Sequence, residues 1–289
     1  MTGHPTKPHE TTAAALTTPS GTPVPPVPAV LRLVQRSVLG RWRATGEELY
    51  RELGALAEAG RGRELLVSGC GEGATTEWLA ERTGATVTGV DPVRQSIERA
   101  DERRRLNGRQ LHLQYELAPL DDLPHESNVF DASIGEPLLS AAADPARAVA
   151  ELLRVTKPLG VVILLQLTWS TDIVPDARER LVERLGLRPY LLVEWKQFLR
   201  DAGAVDIQVQ DWTAGAQGAA AGPPTDSEEE LGWRERVHIV GRTWRRSGWH
   251  AARGAVARER ELLRELSRER PLGFALLKGV KWPHERQQS

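Results

Sequence analysis

Apolar residues along the chain follow two alternating periods. Leu65-Leu66-Val67 and Thr86-Val87-Thr88-Gly89-Val90 are short apolar runs of the kind a strand shows when both of its faces are covered, and residues 161–167 form a longer run, apolar except for Gln166. His112 to Tyr115 and Ala132-Ser133-Ile134 read as two further strands, and Val205 to Val209 alternates like a half-buried one. Helical spacing fills the intervals. A charged helix runs from Val93 to Asn107, where Asn107-Gly108 ends it. A second runs from Pro145 to Thr156 with Asp144 as its N-cap, and others cover Arg178–Leu185 and Glu194–Ala202. Ahead of the first strand, Leu31, Val34, Val38 and Trp42, then Leu49, Leu53 and Leu56, predict two helices. Leu231 to Arg270 reads as a long helical stretch, and Phe274 to Val280 as a final strand. Such alternation of strand and helix predicts a parallel, doubly wound α/β sheet.

The first strand runs straight into Gly69-Cys70-Gly71-Glu72-Gly73 and then into a helix start at Ala74. Glycine permits positive φ and lets backbone approach a ligand that a Cβ would block, while the free N–H groups of a helix start favour electron-rich atoms. The second strand ends in Asp91-Pro92, which sets a carboxylate about 20 residues past the glycines, where a doubly wound fold meets a ribose diol. Because the spacing is G-x-G-x-G, and Ala74 follows where a dinucleotide site carries another glycine, the turn favours a mononucleoside over NAD.

Composition narrows the partners. With 289 residues, 40% hydrophobic and 27% charged, the chain suffices for one large α/β domain, and no linker interrupts residues 29–283. Residues 1–28, rich in Thr and Pro, predict a disordered tail, and 284–289 a short polar one. A net charge of −1 gives no general pull toward nucleic acid or anionic membranes, and no apolar run reaches the roughly 18 residues of a membrane span. The single cysteine, Cys70, excludes an intrachain disulfide and a thiolate metal cluster and suits a cytoplasmic protein. No histidine shows a metal-ligand spacing, His125 and His238 included.

Taken in order, the glycine turn, Gly89-Val90-Asp91, Leu123-Pro124 ahead of Phe130-Asp131, and Glu151-Leu152-Leu153-Arg154-Val155-Thr156-Lys157-Pro158 ahead of the 161–167 run resemble the class I S-adenosylmethionine (SAM) dependent methyltransferases. The likeness is to the small-molecule branch that includes the ubiquinone and menaquinone C-methyltransferases, and it extends over residues 40–282. It implies a Rossmann-like, seven-stranded, mostly parallel sheet with an antiparallel last strand, SAM as cofactor, and helical lid elements, for which 231–270 is the expected place. It also implies cofactor contacts from Gly69, Cys70, Gly71, Gly73, Asp91, Pro92, Leu120 and Glu136. Three positions depart from the family pattern. Val67 stands where an acid usually holds the methionine amino group, Pro119 where an aspartate commonly meets adenine, and Lys157-Pro158-Leu159-Gly160 lacks one of two usual glycines. Glu116, Asp121 and Asp122 are the alternatives for adenine.

Methyl transfer is an in-line displacement in which the protein aligns an acceptor and excludes water, and a hydroxyl or carbon acceptor also needs a base. Strand ends facing the cofactor offer Glu136, either to orient the cofactor or as that base, and Gln166, Thr168 and Trp169. Trp169, Tyr190 and Trp195 either frame an acceptor or pack the core. Glu136-Pro137-Leu138-Leu139 lacks the Asn/Asp-Pro-Pro-aromatic signature of base-amino methyltransferases, which disfavours nucleic acid. The 231–270 stretch interleaves Trp233, Trp244 and Trp249 with arginines, a pattern better read as an amphipathic lid than as a single-strand binder. A short-chain oxidoreductase would need Tyr-x-x-x-Lys, and Tyr50, Tyr115 and Tyr190 are followed instead by Gly54, Pro119 and Glu194. The reading is therefore SAM-dependent methylation of a small molecule, with a non-catalytic methyltransferase-like binding protein as the alternative.

Overall fold

A computed structural model describes residues 46–107, 111–169, 175–185, 187–211 and 272–283. The expected tails, the helix before Gly46 and the 231–270 stretch lie outside them. In chain order the elements are α1 (Gly46–Leu56), β1 (Glu64–Ser68), α2 (Ala74–Thr83), β2 (Thr86–Asp91), α3 (Arg94–Asn107), β3 (Leu113–Leu117), β4 (Phe130–Gly135), a 3₁₀ turn (Pro137–Ala141), α4 (Pro145–Val155), β5 (Thr156–Trp169), α5 (Pro175–Leu185), α6 (Leu192–Asp201), β6 (Ala204–Asp211) and β7 (Leu272–Lys281).

Seven strands form one sheet in the order β3-β2-β1-β4-β5-β7-β6. β1 pairs in parallel with β2 and β4, β2 with β3, and β4 with β5, whereas β7 runs antiparallel to both neighbours, β5 and β6. The order reverses at β1, so the crevice beyond the carboxyl ends of β1, β2 and β4 is the topological switch point where ligands of such sheets bind. No helix among the described residues is long and apolar enough to cross a membrane.

Local sequence explains the elements that frame this crevice. β1 is buried from Leu65 to Ser68, as its unbroken apolar run requires. α2 is bracketed by left-handed glycines, Gly73 (φ 81°) before it and Gly84 (φ 73°) after it. α4 begins at Pro145 after Asp144, whose side chain accepts from the Arg147 N–H, and its apolar face at Ala148, Val149, Leu152 and Leu153 is buried. The chain then enters β5 directly at Thr156, so this strand starts five residues before the apolar run that announces it. Between Phe130↔Thr156 and Ala132↔Val161 the register shifts, and residues 157–160 bulge out. Leu159 there is exposed with φ 63°, while a Cβ on Gly160 would meet the Asp131 carbonyl oxygen at 2.6 Å.

Candidate functional site

At the carboxyl end of β1 the backbone turns through Gly69 (φ 77°), Gly71 (φ 56°) and Gly73 (φ 81°). The Gly69 and Cys70 N–H groups donate to the Val90 carbonyl, which ties the turn to β2. The three glycines serve different ends. A Cβ on Gly71 would meet nothing within 4 Å, so this glycine faces open space. A Cβ on Gly73 would lie 2.1 Å from the Tyr115 hydroxyl oxygen, and one on Gly69 would lie 3.0 Å from Leu138 Cβ and 3.7 Å from Leu120 Cδ1. Gly71 lines the crevice, and the other two make room for protein.

Tyr115 carries weight that none of the sequence motifs assigned to it. From β3 its ring reaches under the turn, with its hydroxyl 3.1 Å from Thr76 Oγ1 and 3.3 Å from the Gly73 carbonyl oxygen. Gly89 in β2 admits the ring, since a Cβ there would be 2.7 Å from Tyr115 Cδ1. Burial pushes the Tyr115 phenol up to about 12, which keeps it a neutral hydrogen-bonding group. The only signal available in the sequence was the glycine at position 89, a small residue inside a strand where another group comes close.

Asp91 is fully buried at the end of β2. Its Oδ2 accepts from the Gly71 N–H at 2.8 Å and its Oδ1 from the Val93 N–H at 2.8 Å, closing a tight turn through Pro92. Each oxygen keeps a further lone pair. Burial pushes the carboxyl up to about 6 against the pull of these two donors. Glu136 follows β4. Its N–H donates to the Ser68 carbonyl, and the Gln166 amide donates to the carbonyls of Gly135 (2.9 Å) and Glu136 (2.8 Å), so strands on both sides clamp its backbone. Its side chain accepts from the Thr75 hydroxyl, and burial, with the charge of Asp91, pushes the carboxyl up to about 7. Two buried polar atoms beside this strand end, Ser68 Oγ and Gln166 Oε1, have no hydrogen-bond partner. Cys70 is buried, and burial with the two acids raises its thiol well above the ordinary value, which keeps it in the protonated, weakly nucleophilic form.

The loop after β3 completes this side of the crevice. Arg154 on α4 donates to the carbonyls of Leu123 (3.1 Å) and His125 (2.8 Å), and its neighbour Glu151 accepts the Leu123 N–H at 2.9 Å. Two motifs 28 residues apart, Leu123-Pro124 and Glu151 to Arg154, are therefore the two halves of one clamp. Of the three acids considered for adenine, Glu116 lies 3.6 Å from His125 and Asp122 is exposed beside Arg147 at 3.9 Å, whereas Asp121, next to Leu120, is buried.

Other expected positions lie elsewhere. Trp169, at the end of β5, is buried, donates its N–H to the Tyr190 carbonyl and carries the Arg178 guanidinium 6.0 Å from its ring centre. Tyr190, Trp195 and Phe198 pack edge to face at 5.4 to 5.5 Å, and Trp195 is wholly buried, which makes this cluster core rather than an acceptor frame. His125 packs edge-on against Phe130.

Residues 66–164 match the family described as a methyltransferase domain. Methyltransferase GfsG of Streptomyces halstedii is 31% identical over 40% of this chain and 41% of its own length. The ubiquinone biosynthesis O-methyltransferase of Neisseria meningitidis serogroup C is 34% identical over 35% of this chain and 43% of its own. The chain thus spans less than half the length of these two curated relatives. Phosphoethanolamine N-methyltransferase 2 of Haemonchus contortus, solved with S-adenosylhomocysteine, superposes with a TM-score of 0.60 at 18% identity, covering 80% of this chain and 51% of that one, a likeness of fold. Over residues 66–164 the chain is thus similar to SAM-dependent methyltransferases, and its fold is theirs. Methyltransferases of this class use SAM, and the crevice suits it. Gly71 leaves the backbone open to a ligand at the turn, and the carboxyls of Asp91 and Glu136 stand at the ends of the two strands beside it.

Proposed function

We propose that this protein transfers the methyl group of SAM to a small-molecule acceptor. The observation that carries this reading is Gly71, held at positive φ over open space by the buried carboxylate of Asp91. In this reading Gly69, Cys70, Gly71 and Gly73 cradle the cofactor, Asp91 and Pro92 meet its ribose, and Leu120 covers its adenine face. SAM supplies an activated methyl group. The chain's own residues hold the cofactor, keep water out and orient the acceptor. Glu136, at the end of β4, orients the cofactor, Trp169, buried at the end of β5, backs the acceptor side, and the domain over residues 29–283 carries the activity.

Calorimetric titration with SAM, S-adenosylhomocysteine and NAD tests the cofactor, with binding of the first two expected. A screen of small acceptors with labelled SAM tests the transfer. Val67 and Pro119 favour a second reading, a methyltransferase-like protein that binds without turnover. Tight SAM binding with no labelled product across amine, hydroxyl and carbon acceptors would support it.

A further inference from the structure

The amino-acid end of SAM is a zwitterion, and a buried ammonium without a partner costs several kcal/mol. A carboxylate beside the glycine turn is the strongest partner for it, because the bond is then charge-assisted on both sides. At the end of β1, Val67 is apolar and fully buried between Gly89 and Ile134, so that strand offers none. Asp91 stands on the β2 side with each oxygen already accepting a backbone N–H. Glu136 differs on both counts. Its Cβ lies 3.8 Å from where a Cβ on Gly69 would be, so it borders the turn itself, and its carboxyl takes the hydroxyl of Thr75, the second residue of α2. That position is beside the first N–H groups of α2, which have no partner within the helix and suit the carboxylate of the same zwitterion.

We propose that Glu136 holds the ammonium of the cofactor's methionine portion, the contact that Val67 at the end of β1 cannot make. Clamping of its backbone by Ser68 and Gln166 fits this role, because an ion pair inside protein repays its desolvation only when the geometry is fixed. The proposal rests on the SAM reading and turns Glu136 from a base into a binding residue.

The test uses three ligands with the full chain. S-adenosylhomocysteine carries the amino acid, its deamino analogue lacks only the ammonium, and 5′-methylthioadenosine lacks the amino acid altogether. Wild type should bind S-adenosylhomocysteine at least about tenfold more tightly than the deamino analogue, a comparison that needs no variant. Glu136→Gln should abolish that preference and leave 5′-methylthioadenosine affinity within about twofold, which also reports an intact fold. Val67→Asp added to Glu136→Gln should restore part of the loss. Equal affinity of wild type for S-adenosylhomocysteine and its deamino analogue, or equal weakening of all three ligands in Glu136→Gln, would overturn the contact. If wild type binds none of the three, the SAM reading itself fails along with it.

Discussion

Gly71 and Gly73 look interchangeable in the sequence, yet their substitutions should fail in different ways. Gly71→Ala meets no neighbour, so the folded protein should lose only the cost of a side chain at positive φ, about 1 kcal/mol, while the methyl group enters the ligand's path. Calorimetry should show SAM affinity lost from a protein that still melts cooperatively. Gly73→Ala drives a methyl into Tyr115 and should destabilise the fold itself, visibly in thermal unfolding without any ligand. Tyr115→Phe, which removes only the hydroxyl shared with Thr76 and Gly73, should cost about 1 kcal/mol of stability. Asp91→Ala strips the Gly71 and Val93 N–H groups of their acceptor as well as any ribose contact, so it should lose about 1–3 kcal/mol of SAM affinity together with some stability. At this scale the glycines and Asp91 were legible because their chemistry is local. Tyr115 was not, since its role exists only once β3 lies beside β2.

Among the elements, the helix and strand boundaries nearest the site followed from caps and apolar runs, as at Asp144-Pro145 and Leu65 to Val67. The start of β5 did not. Lys157-Pro158-Leu159-Gly160 carries every local sign of a turn, but strand pairing resumes around it as a bulge, a tertiary outcome that no periodicity records. The missing family glycine has a physical trace here, because Leu159 occupies the left-handed region where glycine would sit without strain. Leu159 is 64% exposed, so Leu159→Gly surrenders little packing. It should raise stability by about 0.5–1 kcal/mol, seen as a higher unfolding midpoint. Arg154→Ala should do the reverse, freeing the Leu123 and His125 carbonyls and loosening the loop that carries Leu120 and Asp121. Faster hydrogen exchange confined to residues 118–128 would check it.

For the molecule as a whole, raised carboxyl affinities make stability depend on pH in a definite direction. Asp91 and Glu136 hold protons more tightly when folded, so their contribution is complete below the unfolded range near pH 4 and is lost as pH rises through about 6 and about 7. The ligand-free unfolding midpoint should therefore fall between about pH 4 and pH 7 and level off above that, Glu136→Gln should flatten the fall, and bound S-adenosylhomocysteine should offset it. The α/β architecture was legible from alternation alone, and the reversed last strand from the family resemblance. Its place inside the sheet has a consequence for the order of assembly. Among the described residues β6 pairs only with β7, and β7 is made after residues 212–271 have been added. During synthesis from the N-terminus, β6 and the far edge of β5 must therefore wait as open strand edges, the kind of surface that recruits other chains. The last-made strand is the wedge that closes both, so a nascent chain halted before Leu272 should accumulate as aggregate or chaperone client even though its glycine turn is already complete.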